Sequence, residues 1–542
     1  VNSGTDFPPI IEGLAEAAEK KIDLPTPIVV PHEMVAVGLA HGHYLGSGKT
    51  QCVMLHTNVG LSNGATGIIN AACDRVPLIV MSGRTPTTER DRFGSRTVPI
   101  GWGQEMLDQT ALVRECSKWD YELRFAEQLQ EVIDRGFAIA NSTPKGPVYL
   151  SLPREVLCEA IDANKLEAPS TMMPSRVAPD ESALAEATRL LKRAKNPLIV
   201  AQNGVGTEEA FKAFGKFVDE WGIPVSQYWP IKMALPIDHP MCLGTDVTTR
   251  VSEADVILVI DALAPWWPDR TRPKEGAKVI HLGPDPLFTR TPIRNFQCDI
   301  GIVGETSDAI RALIKRMGRP TKQKSAQIEK RYATISAETR AHLEQVRTAA
   351  NAAERAIPST KAFVAQRLTK ALAGEDHAVF SELGVSLGPF EGAQASSWFQ
   401  EPPSGGLGWS FASALGYKLA RPEKTVVGTL GDGSYMFANP TVCHQIAEAL
   451  ELPIVLIVLN NQEWGAVRQS VNGMYPDGYA SKANEMPLTA LKPSPEFTLT
   501  ARASRAHTIK VESSTDVDRA LNEAIELSKT AKNMILVEIA IS

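Results

Sequence analysis

Gly431-Asp432-Gly433-Ser434 precedes the apolar run Pro453-Ile-Val-Leu-Ile-Val-Leu459, which ends in Asn460-Asn461. Such a run predicts a buried strand, and the stretch before it has room for one crossover helix, predicted over Thr441–Leu450. Together they predict a βαβ unit that brings Asp432 and Asn461 to the carboxyl edge of a parallel sheet, where such folds bind ligands. Gly-Asp-Gly alone is common in turns, but the paired asparagines at the strand end favour a binding site.

The residue types at this edge indicate which ligand it binds. The carboxylate of Asp432 and the amide of Asn461 are hard oxygen ligands of the kind that magnesium prefers. Gly431 and Gly433 allow backbone N–H groups to approach a phosphate closely. The pattern therefore predicts a diphosphate held through a divalent metal ion.

Length and composition exclude several other classes of protein. The chain has 542 residues, of which 43% are hydrophobic and 22% charged, and its net charge is −6. A chain of this length suits about three globular domains. No basic stripe indicates a nucleic-acid partner, and no apolar run has the roughly 20 residues that a membrane span needs. The seven cysteines show no CxxC spacing, so neither disulfides nor a zinc site is indicated, and a cytoplasmic protein is expected.

The pattern of elements predicts an α/β fold made of three doubly wound parallel-sheet domains. Short β-rich runs alternate with helical segments, as is typical of parallel sheets covered by helices. In the first domain the predicted strands are Pro27–Val30, Gln51–Leu55, Val76–Met81 and Pro147–Leu150, and the predicted helices include Ala65–Cys73 and Phe125–Ala140. In the second the predicted strands are Asn196–Ala201, Ala254–Ile260 and Lys278–Gly283.

We place the domain boundaries at composition changes. The predicted domains cover residues 1–165, 180–320 and 356–542, with a Pro- and Ser-rich linker over Ala168–Asp180 and a polar helical connector over Lys322–Arg355. Val1-Asn2-Ser3-Gly4-Thr5 is typical of the end of a strand entering a turn. An opening helix and strand of the first domain are therefore expected to be missing from the sequence.

These motifs resemble the thiamine diphosphate-dependent enzymes, in particular the group of 2-oxo-acid decarboxylases, acetolactate synthases and benzaldehyde lyase. Benzoylformate decarboxylase and benzaldehyde lyase have the most similar motifs. The likeness covers nearly the whole chain. The motifs that carry it are Gly431–Ser434, Asn460–Ala466, Gly405-Gly406-Leu407-Gly408, His32-Glu33, Leu55-His56, Gly60–Gly64 and Lys145–Leu150.

The resemblance implies thiamine diphosphate and Mg²⁺ as cofactors and assigns roles in the third domain. Asp432, Asn461 and the backbone carbonyl of Glu463 would hold Mg²⁺. Leu407 would wedge between the two cofactor rings, or else it is a core residue in a Gly-rich turn. Other residues expected to bind the cofactor are Gly431, Gly433 and Ser434, with Gly405 near the aminopyrimidine, and Glu382 and Gly384 near the diphosphate and aminopyrimidine.

In the first domain, the resemblance assigns Glu33 to activation of the cofactor. Glu33 follows a predicted strand and opens a helical pattern, and it matches the carboxylate that the family places on the aminopyrimidine ring. The alternative is a Glu favoured at a helix N-terminus by the helix dipole.

Three further residues are expected to meet the substrate. His56 matches the proton-relaying His of benzoylformate decarboxylase, and a neutral imidazole can both donate and accept a proton. Gln104 matches the active-site Gln of benzaldehyde lyase and acetolactate synthase, and Thr5 lies where benzoylformate decarboxylase has a Ser. The alternatives are a strand-end His with satisfied hydrogen bonds and a surface Gln.

The expected activity is cleavage or formation of a carbon–carbon bond next to a carbonyl. His56 favours a 2-oxo-acid decarboxylase with carboligase capability, whereas Gln104 favours an acetolactate-synthase-like or benzaldehyde-lyase-like enzyme acting on acyloins. A catalytically silent binding or assembly relative is the lesser alternative. The expected partners are small 2-oxo acids or aldehydes and further copies of the chain, as a dimer whose subunits share active sites or as a tetramer, without nucleic acid or membrane.

Overall fold

The computed structural model describes residues 1–162, 171–390, 394–483 and 485–542. It contains three sheets, and every paired strand within them is parallel. This confirms the predicted α/β class. The domain boundaries stay predictions, and residues 163–170, which include parts of the first boundary and of the linker, lie outside the described residues.

The first sheet has the strand order β1-β2-β4-β3. Side chains of successive residues in β2 pack into different cores, since Leu78 and Val80 join one and Ile79 and Met81 the other. The sheet is therefore covered on both faces. Its strands are β1 (Gln51–Leu55), β2 (Leu78–Arg84), β3 (Asp120–Glu122) and β4 (Val148–Pro153); its helices are α1 (Pro8–Glu19), α2 (Glu33–Ser47), α3 (Thr57–Cys73), α4 (Ile100–Gly103), α5 (Leu129–Asn141) and α6 (Arg154–Leu157).

The middle sheet has the strand order β6-β5-β7-β8-β9. Its central strands are buried along most of their length, as their continuous apolar runs require. The strands are β5 (Pro197–Ala201), β6 (Val225–Ser226), β7 (Val256–Ile260), β8 (Lys278–Gly283) and β9 (Ile300–Val303); the helices are α7 (Glu181–Arg193), α8 (Glu208–Trp221), α9 (Thr248–Glu253) and α10 (Thr306–Met317), followed by the connector α11 (Lys322–Asn351).

The third sheet has the strand order β11-β10-β12-β13-β15-β14 and contains the predicted βαβ unit as β12, α15 and β13. Its strands are β10 (His377–Glu382), β11 (Trp398–Gln400), β12 (Thr425–Gly431), β13 (Val455–Asn460), β14 (His507–Val511) and β15 (Ile535–Ala540). Its helices are α12 (Lys361–Ala371), α13 (Trp409–Ala420), α14 (Asp432–Phe437), α15 (Pro440–Ala449), α16 (Gly465–Met474), α17 (Tyr479–Lys482), α18 (Phe497–Arg502) and α19 (Ser514–Ser528).

The first and third domains share a core through α2 and α13. Two glycines set the close approach: a Cβ on Gly42 would lie 1.9 Å from the carbonyl oxygen of Ser413, and one on Gly416 would lie 1.9 Å from that of Leu39. The indole of Trp409 also donates to Nδ1 of His41 across this interface (3.3 Å). The starts of both helices carry predicted site motifs, so this packing fixes the two motifs relative to each other.

One predicted strand is wrong. Residues 27–30 are not a strand, and their backbone bonds run to Val1, whose carbonyl accepts from Val30 (2.9 Å) and whose amino group donates to Ile28 (2.8 Å). Prolines 25, 27 and 31 carry no amide hydrogen, which limits ladder formation here. Among the described helices, none is both long enough and apolar enough to cross a membrane.

Candidate active site

The carboxyl edge of the third sheet carries the predicted metal ligands. Asp432 directly follows β12 and is 2% exposed. Its carboxylate accepts hydrogen bonds from the backbone N–H groups of Gln462 (2.8 Å) and Gly433 (3.0 Å). Burial raises the pKa of Asp432, and these N–H donors oppose the shift. The bond to Gln462 ties Asp432 to the loop after β13, so the two predicted ligand-bearing segments meet.

In that loop, the side chain of Asn461 turns back to the loop backbone, whereas the side chain of Glu463 pairs with Arg468. The side-chain carbonyl of Asn461 accepts from the backbone N–H of Glu463 (3.3 Å). The Glu463 carboxylate forms a bidentate pair with Arg468 (2.6 and 2.7 Å), and its backbone carbonyl accepts from Gly465 (2.9 Å). The side chain of Glu463 is therefore engaged elsewhere, and its carbonyl keeps a second lone pair.

The donor set fits magnesium better than a softer metal. In the described part of the chain, no three His, Cys, Asp or Glu side chains cluster as a metal site. One carboxylate, one amide and one carbonyl match a Mg²⁺ ion that takes its remaining oxygens from a substrate phosphate and water. The residues present therefore fit a magnesium–diphosphate group at this edge.

Two glycines at the same edge lie so close to neighbouring groups that a side chain there would clash with them. A Cβ on Gly433 would lie 2.2 Å from the indole ring of Trp464, and one on Gly384 would lie 2.3 Å from Oγ1 of Thr429. Gly431 ends β12, and Ser434 is buried with its hydroxyl hydrogen-bonded to Glu382. The predicted phosphate-binding glycines therefore lie in a cradle formed by β12 and the Trp464 ring.

Glu382 ends β10 and is fully buried. Its two carboxylate oxygens accept from the backbone N–H groups of Gly408 (2.6 Å) and Ser410 (2.7 Å), at the N-terminus of α13. Burial raises the pKa of Glu382 to about 7, although these donors oppose the shift. Glu382 thus caps α13 and fixes the loop that carries Leu407; its contact with a cofactor stays a prediction.

The Gly405–Gly408 loop lies against the first domain. Asn70 in α3 donates to the carbonyl of Gly406 (2.9 Å), and the Ser404 hydroxyl donates to Asn70 (2.7 Å). Gly405 is exposed and Leu407 half-buried. Because α3 also carries the residues beside Glu33, this one helix links the loop to the predicted activating carboxylate.

Glu33 is the first residue of α2 and is 6% exposed. Its carboxylate accepts from the side-chain amide of Asn63 in α3 (3.1 Å). A Cβ on Gly60 would lie 2.9 Å from Oε1 of Glu33, so glycine at that position leaves room for the carboxylate. The structure therefore holds Glu33 at a defined orientation.

The edge of the first sheet brings two predicted substrate residues together. His56 follows β1, and its Nε2 lies 3.2 Å from the amide nitrogen of Gln104. On the other side of the ring, Nδ1 lies 2.5 Å from the carboxylate of Asp6. Thr5 is exposed, and its backbone carbonyl accepts from Arg154 (3.4 Å). The structure thus brings His56 and Gln104 together. From the N-terminal segment, the residue that contacts His56 is Asp6 rather than Thr5.

Sequence reasoning missed three charged residues at these edges. Asp6 pairs with a residue that lies far away in the sequence, and its only signal was its position next to Thr5. Glu401 is 8% exposed, one of its carboxylate oxygens has no hydrogen-bond partner among the described residues, and burial raises its pKa to about 8. Lys361 donates to the carbonyl of Leu383 (2.6 Å), and its charge acts on Asp432 and Glu401.

A separate cavity of about 520 Å³ lies between the first and middle domains. Neither His56 nor Asp432 lines it. Its walls include Arg75, Lys118, Gln202, Phe288 and Arg290. This cavity is therefore distinct from the two sheet edges.

Three parallel-sheet domains, with a carboxylate-and-amide edge in the last and a Glu–His edge in the first, place the chain in a class of three-domain α/β enzymes. Three family models match the chain: the N-terminal, central and C-terminal domains of thiamine pyrophosphate enzymes, over residues 2–112, 184–313 and 387–539. The chain belongs to the thiamine pyrophosphate enzyme family.

Its curated relatives have different reactions. The chain is 26% identical to a probable 2-ketoarginine decarboxylase of Pseudomonas aeruginosa, over 88% of this chain and 81% of that protein. It is 26% identical to the acetolactate synthase large subunit of Haemophilus influenzae, over 92% and 85%. It is 25% identical to the benzoylformate decarboxylase of Pseudomonas aeruginosa, over 81% and 79%. These relatives are named for different reactions, and identities of 25–26% do not select one of them for this chain.

Solved structures support the fold. Benzoylformate decarboxylase from Polynucleobacter necessarius superposes with a TM-score of 0.77 at 19% identity, covering 100% of this chain and 95% of that one. The 4-hydroxybenzoylformate decarboxylase of Rhodococcus jostii gives a TM-score of 0.74 at 20% identity, with the same coverage.

Proposed function

We propose that this protein is a thiamine diphosphate- and Mg²⁺-dependent enzyme, and specifically a 2-oxo-acid decarboxylase with carboligase capability. The observation that carries the specific part is His56, a titratable imidazole held between Asp6 and Gln104 at the edge of the first sheet. Decarboxylation that releases an aldehyde requires a proton at the carbon that loses carbon dioxide. A positioned imidazole is suited to supply one.

Thiamine diphosphate, when bound, supplies a carbon nucleophile that attacks a carbonyl and accepts the electrons released with carbon dioxide. The chain's own residues divide the remaining work. Asp432, Asn461 and the carbonyl of Glu463 would hold Mg²⁺, with Gly384, Gly431, Gly433 and Ser434 next to the diphosphate. Glu33 would exchange a proton with the aminopyrimidine, and Asn63 keeps its carboxylate in place.

Gln104 supports a second candidate, a carboligase or lyase that acts on acyloins. Its amide can hold a substrate oxygen by hydrogen bonding without titrating. Decarboxylation and ligation differ in whether a proton or a second carbonyl compound captures the acyl group. The contact between Gln104 and His56 supports both candidates, because the two side chains would act on the same substrate.

We further propose that the enzyme is a cytoplasmic homo-oligomer, a dimer or tetramer whose subunits share active sites. The support for assembly is the family resemblance, and the support for the compartment is the presence of seven free cysteines among the described residues. Light scattering on purified protein with cofactors tests the assembly. A monomer that turns over substrate would contradict shared active sites.

The test of function is a product assay with thiamine diphosphate and Mg²⁺ over a panel of aliphatic, aromatic and basic 2-oxo acids, with and without an acceptor aldehyde. We expect carbon dioxide and free aldehyde without acceptor, and some acyloin with it. Acyloin cleavage or ligation without net aldehyde would support the second candidate instead. Absence of turnover with cofactor bound would contradict both.

A further inference from the structure

The contact between Asp6 and His56 is built into the first domain. Asp6 is 5% exposed, and its second carboxylate oxygen accepts from the backbone N–H of Thr57 (3.3 Å). Glycines on both sides make room: a Cβ on Gly83 would lie 1.5 Å from the Asp6 carboxylate, and one on Gly4 would lie 2.0 Å from Nδ1 of His56. Thr57 adopts a left-handed conformation (φ +36°), a strained backbone of the kind found at functional sites.

The pair determines which nitrogen of His56 carries a proton. A carboxylate only accepts hydrogen bonds, so the ring must donate from Nδ1 to Asp6. In the neutral ring Nε2 is then the acceptor, and the Gln104 amide nitrogen, 3.2 Å away, is positioned to donate to it. When the ring is protonated, half a turn of the Gln104 amide offers its carbonyl oxygen to Nε2–H instead. Both protonation states therefore have a partner.

The charges around the ring favour the protonated state. The groups that act on His56 from the packed elements are Asp6, in the segment before α1, and Glu33, at the start of α2. The hydrogen bond to Asp6 is the largest cause of a raised His56 pKa, and the charges of Asp6 and Glu33 add to it, whereas burial opposes it. His56 keeps 20% of its side chain exposed, so solvent can return a proton after each transfer.

We propose that Asp6 is a positioning residue whose carboxylate fixes the tautomer of His56 and stabilises the positive charge of its protonated ring, so that His56 gives its Nε2 proton to the substrate. This inference rests on the proposed function. In the step, the Nε2–H bond breaks, its electron pair stays on the ring, and the proton goes to the substrate carbon that has lost carbon dioxide. The ring is left neutral with its hydrogen on Nδ1 toward Asp6, and water returns the proton to Nε2.

The first test measures the His56 pKa without turnover. Trypsin cleavage after Lys49 and Arg75 gives a peptide whose single histidine is His56. The pH dependence of hydrogen–deuterium exchange at its imidazole C2, measured on the holoenzyme by mass spectrometry, gives that pKa. Asp6→Asn should lower it by about one pH unit or more, because a neutral amide replaces the carboxylate. An unchanged pKa would overturn the proposal even if no substrate is known.

The second test connects the pKa to catalysis. If protonated His56 is the donor, the rate falls on the alkaline side as His56 loses its proton, and Asp6→Asn should move that fall to lower pH by the shift measured in the peptide. Asp6→Asn combined with His56→Gln should lower the rate no further than His56→Gln alone. If the alkaline fall in rate did not move, or if the rate losses of the two substitutions added in the double variant, Asp6 would have a structural role only.

Controls separate these effects from misfolding. Asp91→Asn makes the same chemical change at a side chain that is 87% exposed, at a left-handed position (φ +62°) that asparagine tolerates, so it should leave the His56 pKa and the pH profile unchanged. If Asp6→Asn does not fold, Gly4→Ala separates the pair from the other side with Asp6 intact. It should also lower the His56 pKa, and an unchanged value there would overturn the proposal.

Discussion

At the edge of the first sheet, the candidate reactive residues are hydrogen-bonded by other side chains. At the edge of the third sheet, they are hydrogen-bonded by backbone N–H groups. His56 is bound by Asp6 and Gln104, and Glu33 by Asn63. Asp432 and Glu382, in contrast, each accept two backbone N–H groups. Side-chain partners can rotate, and the Asp6 carboxylate can share a proton with His56, while backbone donors are fixed. The first edge therefore suits proton transfer, and the third suits rigid binding of charge.

The electrostatics of the two edges differ in the same way. Carboxylates beside His56 raise its pKa and favour a charged ring. At the third edge, burial raises the pKa values of Asp432, Glu382 and Glu401, so the cofactor-free protein there disfavours negative charge. A bound divalent cation would reverse this at Asp432. The first edge is thus set by the protein's own charges, whereas at the third a bound cation would compensate the buried carboxylates.

The largest expected effect comes from a substitution at the edge of the first sheet, where proton transfer is proposed. Glu33→Gln keeps the shape of the side chain but removes its capacity to exchange a proton, so turnover should fall by about 10²- to 10⁴-fold. Binding of thiamine diphosphate, followed by tryptophan fluorescence, should change little. Glu12→Gln, at an exposed residue of α1, is the matched control. Full activity in Glu33→Gln would show that another group activates the cofactor.

The next largest effect is expected from a substitution at the edge of the third sheet, where Mg²⁺ binding is proposed. Asp432→Asn keeps an oxygen ligand but loses its charge, so the Mg²⁺ concentration for half-maximal activity should rise at least about tenfold, which corresponds to 1.4 kcal/mol. Excess Mg²⁺ should restore part of the rate, unlike in Glu33→Gln. Asp477→Asn, at a side chain that is 96% exposed, is the control. An unchanged Mg²⁺ requirement would exclude Asp432 as a ligand.

A smaller effect tests whether backbone geometry matters at the third edge. The Cβ in Gly433→Ala would lie 2.2 Å from the Trp464 ring, so the ring must move, at a cost of about 1–3 kcal/mol. We expect weaker binding of thiamine diphosphate, measured by titration, and a lower unfolding temperature. Gly473→Ala in α16 is the control, because a Cβ there meets nothing within 4 Å. Equal behaviour of the two variants would contradict a tightly packed cradle.

The two edges also differ in how far sequence could predict them. Asp432 directly follows β12, and Asn461 follows the last residue of β13, so strand patterns located both at one sheet edge. Glu33 was identified by the family resemblance instead, and the strand predicted before it is wrong. The contact of Asp6 with His56 crosses the fold between distant parts of the chain, and no local pattern encodes it. The direction of Glu382 also escaped prediction: the next residue, Leu383, is left-handed (φ +52°), and the carboxylate turns to α13.

The smallest expected effect concerns Glu401, a buried carboxylate with one oxygen that has no hydrogen-bond partner among the described residues. Its folded-state pKa, about 8, exceeds the ordinary value of 4.5. Its protonated form therefore favours folding at low pH, and this contribution is lost progressively as the pH rises from about 4.5 to about 8. Glu401→Gln stays neutral at every pH. In cofactor-free protein, the unfolding temperature of the parent should fall more steeply between pH 6 and 9 than that of Glu401→Gln, with the variant the more stable at pH 9. Glu423→Gln, at an exposed side chain of the same domain, is the control and should show the same pH dependence of the unfolding temperature as the parent. If Glu401→Gln also showed that pH dependence, Glu401 would be solvated or paired in solution.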